Sequence, residues 1–193
     1  LVYVNRIAIP VEMNLAEFNP RFTESKGNSY EFIKLDRYAL ENGNYQFVNK
    51  VREMKALVYV KKGYYGFALQ KDNKIIADIW YSAPTSNSNS QVHKDMTWLG
   101  IIPRKKYVYA FDMFVIPGIR GHNIATYFQS SFLVYLRNKG WFYVYGYYWA
   151  DNIQALWVHR LLKWKELGKV KVSRFFMIKK SRPQKQNKQF KEH

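Results

Sequence analysis

The chain has no cysteine, which excludes disulfides, thiolate-bound metals and a cysteine nucleophile. Acidic residues are scarce: 14 Asp and Glu stand against 31 Lys and Arg, a formal charge of +17. That balance attracts polyanions such as nucleic acid, anionic lipid or a multiply phosphorylated cofactor. No run approaches the roughly 18 uninterrupted apolar residues of a membrane-spanning helix, and the N-terminus carries no signal-peptide pattern. A reducing compartment is allowed, and a cytoplasmic protein is the expectation. The first residue is Leu1 rather than methionine, as in a piece excised from a longer protein whose targeting segment has been cut away. Four scattered histidines without ligand spacing give metal binding no support.

What is present is apolar and aromatic. Hydrophobic residues make up 48% and aromatic residues 18% of 193 positions, which suits one packed domain of ordinary size rather than a disordered chain. Residues 179 to 193 are basic, nearly free of apolar side chains, and read as a solvated, mobile tail after a domain over 1 to 178.

The first ten residues, LVYVNRIAIP, have strand composition and are expected to stop at Pro10. Residues 11 to 55 carry mixed helical signals, with Phe47, Val51 and Met54 at helical spacing and Gly43 as an interruption. YYGFALQ and KIIADIWYSAP flank the polar turn KDN and read as a hairpin. Residues 85 to 95, rich in Ser and Asn, read as an exposed loop. Then come a strand in KKYVYAFDMFVIP and a helix of about four turns that ends at Gly140. WFYVYGYYWA follows as a strand too apolar on both faces to lie at a sheet edge, then a second helix and a last strand region in KVKVSRFFMIKK. Strand, loop, helix and strand in this order form a βαβ crossover with parallel neighbours.

Ligands of such sheets bind at the carboxyl ends of strands, and VIPGIRGHNIATYF, residues 115 to 128, lies at that end. A helix start leaves amide N–H groups unpaired and carries partial positive charge. Gly121 permits close backbone approach and Arg120 adds a fixed charge, so pyrophosphate is the natural guest. A plain strand-to-helix turn containing glycines is the competing reading.

Residues 115 to 125 also resemble the acyl-CoA-binding motif of the GCN5-related N-acetyltransferases, the GNAT superfamily. Val115, Pro117, Arg120, Gly121 and Ala125 match its Val-x-Pro-x-x-Arg/Gln-Gly-x-Gly-x-Gly/Ala pattern. Asn152, Ala155 and residue 159 follow the family spacing Asn-x-x-Ala-x-x-x-Tyr, and the order of elements over residues 56 to 180 is similar. Asn123 replaces the central glycine and His159 the tyrosine. Asparagine tolerates the left-handed backbone best among non-glycine residues.

The resemblance implies an α/β (α+β) fold: a mixed central sheet with helices on both faces and the cofactor motif in the C-terminal half. It implies direct attack of an amine on an acyl-CoA thioester, acetyl-CoA by default, with no metal. The backbone of Phe114, Val115 and Ile116 would pair with the pantetheine arm. The amides of Gly121, His122, Asn123, Ile124 and Ala125, running on to Thr126, would take the pyrophosphate, while Asn152 would bond the cofactor arm. His159 would return a proton to the thiolate as an imidazolium; a packed structural histidine is the alternative.

Asp112, three residues before Val115 in YAFDMF, is the candidate base. Desolvation there should raise its pKa, whereas an Asp paired with a Lys is the bland alternative. Asp78 is a second choice. Tyr147, Tyr148 and Trp149 lie at the carboxyl end of their strand and are candidate substrate contacts. The acceptor amine carries no readable motif, and a neighbouring domain could hold it if the chain is a fragment. A second function class is a catalytically silent domain of the same fold, with a basic surface for nucleic acid, anionic membrane or a partner domain.

Overall fold

The computed structural model describes residues 3–20, 30–84, 93–120, 123–175 and 178–183. Its strands are β1 (Tyr3–Asn14), β2 (Glu31–Leu35), β3 (Tyr65–Lys71), β4 (Lys74–Ser82), β5 (Tyr107–Val115), β6 (Tyr143–Trp149), β7 (Lys165–Glu166), β8 (Val170–Phe175) and β9 (Ile178–Pro183). Its helices are α1 (Arg37–Glu41), α2 (Lys50–Lys61), α3 (Lys94–Leu99), α4 (Ile124–Asn138) and α5 (Ile153–Leu161). One sheet runs in the order β2-β3-β4-β5-β6-β1-β8-β9, with β7 also paired to β1. Among these strands β5 and β6 form a parallel pair and the others pair antiparallel.

The two faces are apolar for different helices. Alternation along β4 sends Ala77, Ile79 and Tyr81 to the face covered by α4 and α5, where they pack with Phe128, Phe132 and Leu136. Trp80 goes to the opposite face, against Ala56 and Val60 of α2. Farther along that face Met96 and Leu99 of α3 cover Tyr109 and Tyr145. Helix α4 is capped at its far end by Lys139, and Gly140 follows at φ 81°, the left-handed residue that ends a helix. The β3–β4 turn holds Asp72 and Asn73 at φ 48° and 63°, matching a tight hairpin. β6 lies between β5 and β1, as its two apolar faces predict.

Several expectations are corrected. β1 does not stop at Pro10 but runs on to Asn14. Pro10 stands where β8 pairing ends at Ala8 and β7 pairing begins at Val11, so its missing N–H costs no ladder bond. Residues 31–35, read as part of a helical region, form β2 against β3. On α2 the buried residues are Arg52, Ala56 and Val60, while Val51 and Met54 are exposed. The loop expected over 85 to 95 ends earlier, because His93 caps α3 and Lys94 and Asp95 are helical; residues 85–92 lie outside the described residues. Residues 179–183 belong to β9 rather than to a tail, and 184–193 lie outside the described residues.

Candidate active site

β5 and β6 pair over three positions, Tyr107 with Tyr143, Val108 with Val144 and Tyr109 with Tyr145, and then part. β5 also bulges: Phe111 faces Trp80 and Phe114 faces Asp78, so two residues oppose one on β4. Asp112 within the bulge adopts φ 50°. Gly146 stands at the parting, where a Cβ would come within 3.0 Å of the Ala110 carbonyl oxygen. The parted strands open a cleft of about 870 Å³, bounded by the start of α4 on one side and by α5 on the other.

The start of α4 has the form expected of an anion site. Asn123 is its N-cap at φ 60° and ψ 14°, and its side chain makes no capping bond. The first intrahelical bond of the turn runs from Tyr127 N–H to Asn123 O, at 2.8 Å. Among the described residues the N–H groups of Ile124, Ala125 and Thr126 therefore have no acceptor, and all three residues line the cleft. Arg120 also lines it and donates from Nε to the Val115 carbonyl oxygen at 3.1 Å. Gly121 and His122 lie outside the described residues.

Other members of the expected set are partly engaged. Ile116 N–H is donated to the Ile76 carbonyl at 2.9 Å, so it is not free to pair with a ligand, and the Val115 carbonyl already accepts from Arg120. Asn152 caps α5: its Oδ1 accepts from Ala155 N–H at 3.1 Å, which leaves its amide group as the part that can reach a ligand. Two buried polar atoms of the cleft wall were not singled out in the sequence. Gln129 Oε1 and Trp164 Nε1 have no partner among the described residues, and an unpaired polar atom in a wall is costly unless something binds it. Only the helical register of Gln129 with Ala125 could have pointed to it.

His159 lies on the cleft wall, stacked on Tyr148 at 4.9 Å and tilted against Trp164 at 5.2 Å. Burial pulls its pKa below 6.5, against a bond to the Ala155 carbonyl and the charge of Glu166. That bond, 2.7 Å from Nδ1, requires Nδ1 to be the donor, since a carbonyl only accepts. The expectation of a readily available imidazolium is therefore corrected. Burial favours the neutral ring, in which Nε2 carries the lone pair.

Asp112 differs from expectation as well. Burial would raise its pKa, but Arg52, Lys55 and Tyr59 overcome that and hold it below the ordinary value of 3.8. Its Oδ2 lies 2.9 Å from Arg52, 2.7 Å from Lys55 and 2.7 Å from Tyr59 OH. The desolvated base expected here is thus a carboxylate stabilised as the anion. Asp78, the second choice, is fully buried and takes the same guanidinium at 2.6 Å. Burial pushes its carboxyl up, against the pull of Arg52 and Trp80. Tyr147, Tyr148 and Trp149 all line the cleft, but alternation divides them. Tyr148 faces His159, whereas Tyr147 and Trp149 face α3, where both meet Trp98.

No protein-family profile matches the sequence, and no curated protein matches it. Solved structures do match. A fungal GCN5-related glucosamine N-acetyltransferase region of a multi-domain β-N-acetylglucosaminidase superposes with a TM-score of 0.60 and 11% identity, over 90% of this chain and 21% of the other. A GNAT-family acetyltransferase structure from Novosphingobium aromaticivorans gives 0.54 and 11%, over 88% and 64%. Aminoglycoside N-acetyltransferase AAC(6')-Iy in complex with CoA gives 0.52 and 15%, over 74% and 92%. The chain thus spans less than two thirds of the length of the first two. The strand order, the parting of β5 from β6 and these superpositions agree: the chain has the fold of the GCN5-related N-acetyltransferases.

Proposed function

We propose that this chain is an acyl-CoA-dependent N-acyltransferase, with acetyl as the default acyl group and an amine as acceptor. The observation that carries the reading is the start of α4, which has no side-chain cap and whose N–H groups at Ile124, Ala125 and Thr126 have no acceptor among the described residues, in three residues that line the cleft between the parted strands. Backbone donors at a helix start suit a diphosphate, and Arg120 adds a guanidinium beside them. The Asn152 amide, Gln129 Oε1 and Trp164 Nε1 suit a ligand carrying its own donors and acceptors, as the amide-rich arm of CoA does. The superposed acetyltransferases, one of them a CoA complex, support the same assignment.

A bound acyl-CoA supplies an activated thioester carbonyl. Transfer forms a carbon–nitrogen bond as the carbon–sulfur bond breaks; an ammonium acceptor gives up two protons, one to a base before nitrogen can attack and one that the departing sulfur takes. Within this chain we assign the first proton to His159, whose Nε2 is a base in the tautomer fixed by Ala155. Asp112, stabilised as the anion by Arg52, Lys55 and Tyr59, positions α2 against the bulge of β5.

Thermal unfolding with millimolar acetyl-CoA tests the binding half of the proposal. A rise in melting temperature is expected, because a ligand of the native state stabilises it, and Arg120→Glu is expected to abolish the rise. Release of free CoA thiol with a panel of amines tests the chemistry. The absence of any melting shift at millimolar cofactor sinks the reading.

A further inference from the structure

Two carboxylates line the cleft, Asp95 and Asp112, and they differ in one respect. Asp112 is neutralised by Arg52 and Lys55. Asp95 is held by uncharged donors: Trp98 Nε1 gives to Oδ1 at 2.9 Å, and Tyr109 OH to Oδ2 at 3.4 Å. The nearest basic side chain is His93, 3.9 Å away. Burial holds that imidazole below 6.5, and its Nδ1 accepts the Asp95 backbone N–H at 3.3 Å, so it carries no proton there. In a chain of net charge +17, this cleft carboxylate has no Lys or Arg partner among the described side chains.

The walls beside Asp95 are aromatic. Trp98 and Trp149 are near-parallel, with centroids 6.3 Å apart and an interplanar angle of 18°. Tyr147 stands nearly perpendicular to both, at 79° and 88°. Burial, with Asp95 second, pushes the Tyr147 phenol up to about 12, so it remains neutral. Phe111 continues the wall along β5. An unpaired carboxylate beside aromatic faces attracts an organic ammonium, through charge and through the ring quadrupoles. Arg6, paired with Asp151, already lies over the Trp149 ring at 4.3 Å, and Lys55 and Arg120 line the same cleft, so a second positive charge on the ligand would meet repulsion.

Resting on the acyltransferase reading, we propose that Asp95, with Tyr147 and Trp149, seats the acceptor: a primary amine bearing one positive charge on an apolar or aromatic body. Asp95 receives the ammonium, and the rings cover the body.

Isothermal titration of the full chain, with and without CoA, using phenethylamine and its uncharged analogue phenethyl alcohol, tests the proposal. The amine is expected to bind about ten-fold more tightly than the alcohol, the effect of one desolvated charge contact. In Asp95→Asn, which keeps an acceptor for Trp98, the two probes are expected to bind within about two-fold of each other, with CoA affinity unchanged. Equal binding of the two probes to the unaltered protein overturns the proposal, and this comparison needs no variant to fold. A preference for the amine that persists in an Asp95→Asn protein still binding CoA overturns it too. Failure of the CoA melting shift, by contrast, counts against the acyltransferase reading and leaves the amine preference to be measured without CoA.

Discussion

The guanidinium of Arg52 lies 2.6 Å from the carboxylate of Asp78, and both side chains are buried. Its Nη1 reaches Asp112 at 2.9 Å, so one cation from α2 ties together carboxylates of β4 and β5 at the edge of the cleft. Removing it strands the buried anion of Asp78, while Asp112 keeps Lys55 and Tyr59; the penalty of a buried charge left without its partner exceeds the value of the pair itself. Arg52→Leu is expected to lower unfolding free energy by about 3–5 kcal/mol in urea titration. A loss near that of an ordinary surface substitution would show that the cluster is not held together by this residue.

Asp112 gives the cluster a pH signature. Its folded pKa lies below the ordinary 3.8, so the ionised form is favoured by folding. The stability it contributes is complete above the unfolded value and disappears as pH falls through the folded one. The gap in unfolding free energy between the protein and Asp112→Asn should be roughly 2 kcal/mol at neutral pH and narrow below about pH 4. Asp78, whose carboxyl burial pushes up, contributes with the opposite sign, and because Asp112 also raises it the two carboxylates titrate as a coupled pair. A gap that widens on acidification contradicts the assignment.

The half of the site that is local in sequence was legible, and the half assembled from distant residues was not. The strand, loop and helix of residues 107–138 announce themselves through alternation, a Pro-Gly break and a Gly stop, and β6 through its two apolar faces. Residues Glu31–Leu35 are too short and too exposed to read as a strand; pairing with β3 decides them. Helix α2 misleads because its inward position is Arg52, and what makes an arginine suitable there is a pair of carboxylates 26 and 60 residues away. Asp112 and His159 stand out in the sequence as candidate base and acid. Their protonation follows from Lys55, Tyr59 and the Ala155 carbonyl, which composition and spacing do not place.

Asn123 tests the loop that the sequence did make legible. Its backbone is left-handed and its side chain makes no capping bond, so the residue serves there through conformation. Asn123→Ala is expected to cost about 1 kcal/mol, since other L-residues resist this region. Asn123→Gly should be neutral or slightly stabilising. Urea midpoints of both variants measure this; equal losses for Ala and Gly would point to a side-chain role instead.

His159 carries the remaining prediction. Burial lowers its pKa below 6.5 in the folded chain, so the unfolded state binds the proton more readily. Stability is therefore complete above the unfolded value and falls as pH drops from about 6.5 toward the folded pKa. His93, also lowered by burial, adds a limb of the same sign, so the comparison must be with His159→Gln, in which part of the acid-side slope should vanish. Imidazole titration by NMR should place the His159 midpoint below 6.5, with Nδ1 protonated throughout the neutral range. If Nε2 takes the amine's proton, kcat/KM for acyl transfer should fall on the acid side with that same midpoint, and His159→Gln should lower kcat by about 10²–10⁴-fold while leaving the CoA melting shift in place. A midpoint above 6.5, or a rate that rises on acidification, would restore the imidazolium as the active form and reverse the direction of proton transfer.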